Sequence, residues 1–402
     1  NKELKELTNK FENADKAEQL NLQKDLEFKK AQIKDIRKKV IDVCDNLRRE
    51  IESSDKVLNM SAPGQVAEVL YNIYDLSPDE DGKKSVSKKV LKQYLNLKDE
   101  NGNPKYPLIN MYSEWKKLET LVSKFFDNLQ YYMYPGGFIF SSYGQISTAT
   151  GRMSCSKPNA QQYPKDVTGI VIPRDGCVMV DADFSQIEYR TLVAMAKETA
   201  LLEKFTDPDT DYHTMMASLM YGVPYASVTP KMRSDAKSFN FGIPYGMGIG
   251  SLAILLSGVN NATTREEARQ KYELYFKDQP NVRQFFIDVK EGALINKFTK
   301  TKWGRKRYYS FEDKDGNFSQ AKRAMALRQA GNAVIQGTAA DIFKIAIARN
   351  FNYIRENSLL GYVFITNMVH DELLFEVDYE HLHVQRVLAD IIINMELEIE
   401  GF

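Results

Sequence analysis

Two aspartates that are far apart in the chain each lie at the end of a hydrophobic segment, where a turn begins. Asp183 ends the segment CVMVDAD, and Asp371 follows the segment YVFITNMVH. Short apolar runs bounded by turn residues are typical of buried strands. If both strands lie in one sheet, the two carboxylates can meet at its edge and hold divalent metal ions. Asp181 competes with Asp183 for this role, because residues two apart lie on the same face of a strand.

The segment RSDAKSFNFGIPYGMG places two cations and two aromatic rings at intervals of four residues, namely Arg233, Lys237, Phe241 and Tyr245. Side chains with this spacing share one face of an α-helix. Such a face suits a ligand with a polyphosphate at one end and a flat base at the other, as in a nucleoside triphosphate. Aromatic pairs at helical spacing are usually core residues, and the two cations upstream favour a binding face here. Pro244 removes a backbone donor, so we expect the end of this helix to bend.

These three segments, taken in order, resemble motifs A, B and C of the family A DNA polymerases, the bacterial polymerase I type. Other segments that resemble the family are TATGRMS at 148–154, DYHTMMA at 211–217 and RQAGNAVIQGTAADI at 328–342. The resemblance implies an α+β chain with the right-hand polymerase fold, which combines a helical thumb, an antiparallel-sheet palm and helical fingers. We expect the thumb at 1–130, the first part of the palm at 131–197, the fingers at 198–298 and the second part of the palm at 299–402.

The resemblance implies template-directed addition of dNTPs to the 3′ end of a DNA primer with two Mg²⁺ ions, for which Mn²⁺ can substitute. The implied metal ligands are Asp183, Asp371 and the backbone carbonyl of Phe184. Asp183 is selected over Asp181 by alignment to the family pattern, which leaves Asp181 a supporting role. In-line phosphoryl transfer needs negative charge to be neutralised at both the attacking and the leaving oxygen, and paired carboxylates can hold the ions that do this.

Nucleotide-binding roles follow from the same resemblance. Arg233 is expected near the terminal phosphate, and Lys237 near the reacting phosphate, where it could also protonate the pyrophosphate leaving group. His213 is expected to contact the triphosphate, although a lone helical histidine is more often structural. Gln186 completes this set of expected substrate contacts.

Sugar selection is expected at Glu188, which would lie beneath the sugar and act with Tyr245 to exclude a 2′-hydroxyl. This predicts a deoxynucleotide substrate. Phe241 would stack near the incoming sugar and base, and Tyr245 near the templating position. Because Phe241 lacks the hydroxyl that eases acceptance of dideoxynucleotides, we also expect discrimination against them.

Contacts with primer–template DNA are implied for a set that reads the minor groove near the primer terminus, namely Arg152, Arg328, Asn332, Gln336 and His370. Minor-groove acceptors differ little between correct base pairs, so such a set can check pair geometry without preferring a sequence. The segment between Asn159 and Asp183 looks shorter and poorer in arginine than in bacterial members, which weakens the expectation of template contacts there.

The overall charge is zero, with 54 basic and 54 acidic side chains. Nucleic-acid binding therefore has to rest on a local basic surface, and the segment KFTKTKWGRKRYY at 297–309 supplies six cations without an acid. Such a run is by itself more often a solvated face. Its place just before the RQAGNAVIQGTAAD helix favours contact with DNA, because the family places DNA-contacting residues there.

Bulk properties suit a globular protein of two or three domains. The chain has 402 residues, and no stretch approaches the roughly 20 apolar residues of a membrane span. Three cysteines without CxxC spacing argue against a disulfide framework or a zinc site, so we expect a reducing compartment. That predicts the cytoplasm of a bacterial or phage-infected cell, with an organelle left open. The start at Asn1 rather than Met predicts a fragment, a processed product or an incomplete chain.

Periodicity predicts the order of elements. We expect a helix at 111–134, alternating strand character in YPGGFIFSSYGQISTATGRM at 134–153, helices from 186 to 297, a strand near 302–310, a helix at 319–357 and a β-hairpin at 362–378 with HDE at its bend. Residues 78–105 are expected to form loops around a short helix. An apolar stripe predicts a helix that packs within the thumb or, alternatively, forms a short coiled-coil arm; it comprises Ile33, Ile36, Val40, Val43 and Leu47.

Two other functions compete with a DNA polymerase. A single-subunit RNA polymerase would typically lack the acid at Glu188, and an inactive polymerase-shaped DNA-binding protein could lose Asp183 and Asp371. The thumb-like segment fills nearly everything before TGR, so we expect polymerisation without proofreading in this chain. Processivity factors and fused upstream domains stay open.

Overall fold

The computed structural model describes residues 59–74, 76–78, 82, 84–95, 97–204, 211–242, 246–257, 263–277 and 279–396, with six helical positions between Ala31 and Asp42. The five apolar positions predicted to form a helical stripe between Ile33 and Leu47 lie outside the described residues. So do Pro244, with its predicted bend, and Tyr245. Within the described residues, every helix is too short or too polar to cross a lipid bilayer.

Helices make up most of the described chain. They are α1 (Pro63–Ile73), α2 (Lys88–Leu95), α3 (Pro107–Leu121), α4 (Asp127–Tyr132), α5 (Lys165–Thr168), α6 (Ile187–Ala196), α7 (Thr199–Lys204), α8 (Tyr212–Tyr221), α9 (Pro230–Gly242), α10 (Ile249–Leu256), α11 (Arg265–Lys277), α12 (Pro280–Asn296), α13 (Gln320–Glu356) and α14 (Val384–Met395). A π-helical turn over Val122–Phe126 joins α3 to α4, and 3₁₀ turns cover Ala160–Gln162 and Tyr225–Ser227.

Within the part of the chain that the structure describes, strands form three small antiparallel sheets. They are β1 (Ser142–Gly144), β2 (Ser154–Ser156), β3 (Cys177–Asp183), β4 (Phe298–Lys300), β5 (Lys306–Tyr308), β6 (Val363–Val369) and β7 (Glu372–Asp378). β1 pairs with β2, β4 pairs with β5, and the largest sheet has the order β3-β7-β6. Helices and antiparallel strands thus occupy separate stretches, which is the predicted α+β class.

The predicted elements mostly form. The hairpin of β6 and β7, the strand that ends at Asp183 and the helices between 186 and 297 all occur as expected. Residues 134–153 are the exception, because β1 is the only strand within this range and Ile139 adds just an isolated bridge to Met133. The 111–134 helix also begins earlier, at Pro107, whose fixed φ suits the first turn of a helix.

The chain divides into two compact units. One comprises residues 1–140 with 163–175, and the other comprises 141–162 with 176–402. In the first unit, α1 and α3 bury an apolar cluster that includes Leu70, Ile109 and Trp115. The predicted bounds of thumb, palm and fingers remain predictions.

In the second unit, the three-stranded sheet has one apolar and one acidic face. Leu373, Phe375 and Val377 alternate along β7 and are fully buried against α13 and α14. The residues between them point to the opposite face, because successive side chains of a strand alternate. β3 follows the same rule, so Val180 packs into the core while Asp181 faces the other way.

A second core lies among the helices α6 to α12. Its fully buried side chains include Leu192, Met216, Phe239, Leu252 and Tyr275. This core fixes α8 against α9, which determines what the polar faces of those two helices can reach. The 37-residue helix α13 passes between this helical core and the sheet, contributing Ile335 to the first and Phe343 to the second.

Candidate active site

Strand pairing brings the two predicted metal-binding aspartates to one edge of the sheet. Asp183, the last residue of β3, lies directly opposite Glu372, the first residue of β7. His370 and Asp371 form the bend before β7, and the backbone N–H of Phe184 donates to the carbonyl oxygen of Asp371 at 3.1 Å. Asp183 and Asp371 therefore converge although 188 positions separate them in the sequence.

The carboxylates at this edge repel one another. Burial raises the pKa of Asp183 above its ordinary value, and the charges of Asp371 and Asp181 raise it further. Burial likewise raises the pKa of Asp371. Glu372 shows the largest effect, since burial and the nearby charges and hydrogen bond of Asp181 raise its pKa to about 7. An edge that concentrates anionic oxygens in this way favours a bound cation.

The donor set at the sheet edge fits Mg²⁺ because carboxylate oxygens are the hard ligands that this ion prefers. Among the described residues, no group of three or more acidic, histidine or cysteine side chains is arranged to hold a metal ion. Two carboxylates would therefore need further oxygens from a backbone carbonyl, from water or from substrate phosphates. Mg²⁺ usually keeps several such ligands.

A cavity of about 240 Å³ opens beside the acids. Six residues predicted to bind substrate, DNA or metal line it, namely Arg152, Gln186, Glu188, His213, His370 and Asp371. Two of them have left-handed backbones, Gln186 with φ 55° and His370 with φ 57°. Such conformations are uncommon for residues other than glycine and often cluster at functional sites. The structure thus brings six of the fifteen predicted site residues together around one cavity.

Glu188 is held from two sides. Arg152 donates to its Oε1 atom, and Gln336 donates to the same oxygen at 3.1 Å. Glu188 was predicted to lie beneath the sugar, whereas Arg152 and Gln336 were predicted to read the minor groove. These contacts therefore link the predicted sugar-sensing acid directly to two of the predicted DNA-contacting residues.

Arg233 and Lys237 lie on the exposed face of α9, one turn apart. Arg233 makes an ion pair with Asp211, through Nε to Oδ2 at 2.5 Å and Nη2 to Oδ1 at 3.3 Å. Asp211 also caps α8, where it accepts from the backbone N–H of His213 at 3.1 Å. Burial acts to raise the pKa of Asp211, but the hydrogen bonds from Arg233 and Thr214 outweigh it and lower the pKa to about 2.

His213 is buried in the cavity wall beside these cations. Its Nδ1 atom lies 3.0 Å from the Nδ2 atom of Asn240, which is also buried. Burial lowers the pKa of His213, and the charges of Arg233 and Lys237 lower it further against the opposing effect of Asp211. Histidine, arginine and lysine from two helices therefore lie within electrostatic range of one another.

Comparison with known proteins decides the family. The sequence model of DNA polymerase family A matches residues 30–400. The chain belongs to DNA polymerase family A. It is 31% identical to DNA polymerase I of Caldicellulosiruptor bescii over 85% of this chain and 38% of that protein, and 32% identical to the thermostable DNA polymerase I of Thermus aquaticus over 82% and 39%. The chain thus spans about two fifths of the length of these relatives.

A solved family A structure shares the fold. The POL domain of Pol1 from M. smegmatis, in complex with DNA primer-template and dNTP, superimposes with a TM-score of 0.77 at 26% identity, covering 94% of this chain and 63% of that one. The right-hand polymerase fold predicted from the sequence is therefore confirmed.

The roles predicted for several other site residues remain predictions. The side chain of Phe241 and all of Tyr245 lie outside the described residues. Arg328 is exposed on α13, and Asn332 is half-buried on the same helix. Neither lines the cavity beside the acids.

Sequence reasoning missed the role of Arg305. We assigned it to the basic run as a DNA-contacting cation, yet its guanidinium donates to Asp341 at 3.1 Å and to the carbonyl of Gly337 at 2.9 Å. It also packs against Gly151, where a Cβ atom would lie 2.4 Å from the guanidinium carbon. Arg305 therefore connects the turn around the TGR sequence at 150–152, here called the TGR turn, to α13.

Three other residues at this family A site were not singled out by sequence reasoning. Asp211 could have been found from its place just before an apolar helix, because aspartate is one of the favoured N-cap residues. Asn240 and Glu372 carry no local signal, because each acquires its role from a partner in another element.

Proposed function

We propose that this chain is a template-directed DNA polymerase that adds dNTPs to the 3′ end of a DNA primer by two-metal-ion nucleotidyl transfer. The observation that carries the proposal is the convergence of Asp183 and Asp371 at one sheet edge, beside a cavity that His213 and Glu188 also line. Its partners are primer–template DNA and dNTPs. Membership of DNA polymerase family A and the DNA and dNTP bound to the mycobacterial relative support these partners.

In this proposal, two Mg²⁺ ions, for which Mn²⁺ can substitute, would be held by Asp183, Asp371 and the backbone carbonyl of Phe184. When bound, such ions neutralise charge on the attacking and leaving oxygens and lower the pKa of the primer hydroxyl. The chain's contribution is the placement of Asp183 at the end of β3 and of Asp371 in the bend before β7, the strand that pairs with β3.

The remaining side chains orient the nucleotide. Arg233 and Lys237 bind the triphosphate from α9, and Lys237 can donate a proton to the departing pyrophosphate. His213 adds a third contact from α8, and Gln186 lies on the cavity wall. Arg233 must leave Asp211 or share it, because a guanidinium has five donors and can serve a carboxylate and a phosphate together.

Glu188 favours deoxynucleotides. Its carboxylate is anchored by Arg152 and Gln336 at the cavity wall, so it cannot swing freely away from an incoming sugar. With Tyr245 it would leave no space for a 2′-hydroxyl. This distinguishes the proposed DNA polymerase from a single-subunit RNA polymerase.

Replacing Asp371 by Ala tests the proposed polymerase activity. We expect primer extension with dNTPs and Mg²⁺ to fall at least about 1000-fold, because one of the two metal-binding carboxylates is lost. Duplex binding should survive, since Asp371 contributes no positive charge to DNA binding. An Asp175→Ala variant serves as the control, because Asp175 is exposed in the loop before β3.

The same assay separates the alternatives. Extension by Asp371→Ala at the rate of the unmodified chain would sink the two-metal proposal. Duplex binding without extension by the unmodified chain would identify an inactive DNA-binding protein. Preferential incorporation of ribonucleotides would identify an RNA polymerase.

A further inference from the structure

Two buried polar side chains meet in the wall of the cavity. His213, the second residue of α8, is 7% exposed, and Asn240 of α9 is 3% exposed. The Nδ2 atom of Asn240 lies 3.0 Å from the Nδ1 atom of His213. Both residues line the cavity beside Asp371, so this contact is part of the candidate active site.

We propose that Asn240 is a positioning residue that keeps His213 in the neutral tautomer with its proton on Nε2, so that an N–H donor faces the triphosphate. This inference deepens the proposed polymerase function and rests on it. Asn240 itself contacts no reacting atom in the proposal, and acts only through His213.

The argument starts from the two nitrogens of a neutral imidazole. One of them donates and the other accepts, and the partner of one nitrogen decides which is which. The amide of Asn240 directs its NH₂ group at Nδ1, so Nδ1 is the acceptor and the proton is on Nε2. The Oδ1 atom of Asn240 is buried and has no hydrogen-bond partner among the described residues, so the contact with His213 is the side-chain hydrogen bond that orients this amide.

The opposite tautomer would fail at a phosphate. If Nδ1 carried the proton, Nε2 would present a lone pair to anionic oxygens and repel them. The choice matters only while the imidazole is neutral, because an imidazolium donates from both nitrogens. Burial and the charges of Arg233 and Lys237 lower the pKa of His213, and so favour the neutral ring.

The position of His213 is fixed independently of Asn240. Its backbone N–H donates to Asp211 at the start of α8, and α8 packs against α9 in the helical core. Replacing Asn240 should therefore change the protonation pattern of the ring more than its location. The proposal therefore depends on the hydrogen bond between the side chains of Asn240 and His213.

Nitrogen-15 spectra of the ligand-free protein test the tautomer directly. The chain has four histidines, and the signals that disappear in His213→Gln identify His213. Two-bond correlations should show the Nε2–H tautomer in the unmodified chain. In Asn240→Leu, which has similar volume but no donor, we expect a mixture of tautomers. An Nδ1–H ring or an imidazolium in the unmodified chain at neutral pH, or an unchanged tautomer in Asn240→Leu, would overturn the proposal.

Kinetics test the consequence. Asn240→Leu should raise KM for dNTP about 10-fold with a smaller change in kcat, in keeping with weakening one hydrogen bond to a charged group. In a His213→Gln background, whose amide supplies a donor that needs no tautomer, Asn240→Leu should have little further effect. Equal effects of Asn240→Leu in both backgrounds would show that Asn240 acts through packing and not through His213.

Two controls keep the outcomes apart. Circular dichroism melting establishes that Asn240→Leu is folded, and Asn240→Ser, whose hydroxyl is too short to reach Nδ1, replaces it if it is not. Failure of the unmodified chain to extend any primer would contradict the proposed function. The tautomer would still be read from the ligand-free spectra, so the two failures are distinguishable.

Discussion

At the scale of single residues, the site depends on acids whose negative charges repel one another when no cation is bound. Asp181, Asp183 and Glu372 share one face of the sheet, with Asp371 at its edge. Burial raises the pKa values of Asp183, Glu372 and Asp371, and the charges of the neighbouring acids raise those of Asp183 and Glu372 further. The same crowding makes each acid sensitive to the loss of its neighbour. Two predictions follow from this arrangement.

The first separates the two aspartates of β3. Asp183→Asn should reduce extension about 1000-fold or more, because Asp183 lies opposite Glu372 at the end of the strand where Asp371 converges. Asp181→Asn should retain activity within about 10-fold, because Asp181 lies two residue pairs further from that end, opposite Leu374. Single-turnover extension at saturating dNTP measures both. The reverse order of effects would make Asp181 the metal ligand.

The second concerns pH and the metal-free protein. The folded-state pKa of Glu372 is raised from 4.5 to about 7, so the folded protein holds a proton that the unfolded chain releases. Stability should therefore fall as pH rises from about 5 to 7, by about 1–2 kcal/mol for this group after allowance for its partial exposure. Urea unfolding in EDTA measures the change, and Glu372→Gln should flatten the slope. A slope unchanged in Glu372→Gln would contradict the assignment.

At the scale of elements, close contacts with the residues around Gly337 fix the position of α13, the helix that supports the site. A Cβ atom on Gly337 of α13 would lie 2.6 Å from the Thr301 methyl, 3.0 Å from Arg305 and 3.4 Å from the carbonyl of Thr150. Lys344 of the same helix donates to the carbonyl of Gly151 at 2.7 Å. The TGR turn, the β4–β5 hairpin and α13 are therefore joined at one point, and Arg152 projects from it toward Glu188.

Gly337→Ala should destabilise the protein by about 1–3 kcal/mol, because the added methyl group overpacks this junction. The matched control is Gly292→Ala in α12, where the nearest atom would lie 3.9 Å away. That change should be neutral or stabilise by up to about 1 kcal/mol, since alanine is the better helix former. Urea unfolding compares the two variants. Equal stability of both would show that the junction can relax.

At the scale of the whole molecule, a chain without net charge has to bind DNA through a local surface. The β4–β5 hairpin exposes Lys300, Lys302 and Lys306, while Trp303 and Tyr308 are 43% and 70% exposed. The basic run therefore combines exposed lysines with two arginines that are engaged within the protein, Arg305 with Asp341 and Arg307 with Gln329. We expect only the exposed members to contribute to DNA affinity.

Replacing Lys300 and Lys306 by Gln should weaken duplex binding and lower the slope of log Kd against log salt by about 1–2, because each phosphate contact releases about one counterion. Fluorescence anisotropy over a salt series measures both quantities. The control pair is Lys116→Gln with Lys117→Gln in α3, which lies outside the basic run. Equal slopes for both pairs would contradict a DNA-contacting role for the hairpin.

The sequence was sufficient to predict the strand that ends at Asp183, the hairpin with Asp371 at its bend and the helix that carries Arg233 and Lys237. Periodicity of two or about 3.6 encodes these elements and their faces locally. Between 134 and 153 the same reasoning overestimated strand content, because alternation alone does not supply a pairing partner. The capping aspartate, Asp211, was within reach of the sequence but was not singled out.

Only the tertiary structure decided which polar groups engage one another. Gln336 donates a hydrogen bond to Glu188 although 148 residues separate them. Arg305, which we expected to contact DNA, instead packs against Gly151 and Gly337. Such partners are chosen by distances of a few ångströms between elements, and no local pattern records those distances. The sequence by itself therefore determined the chemical groups and the elements that carry them, while folding determined which groups are held in place and which remain exposed for a ligand.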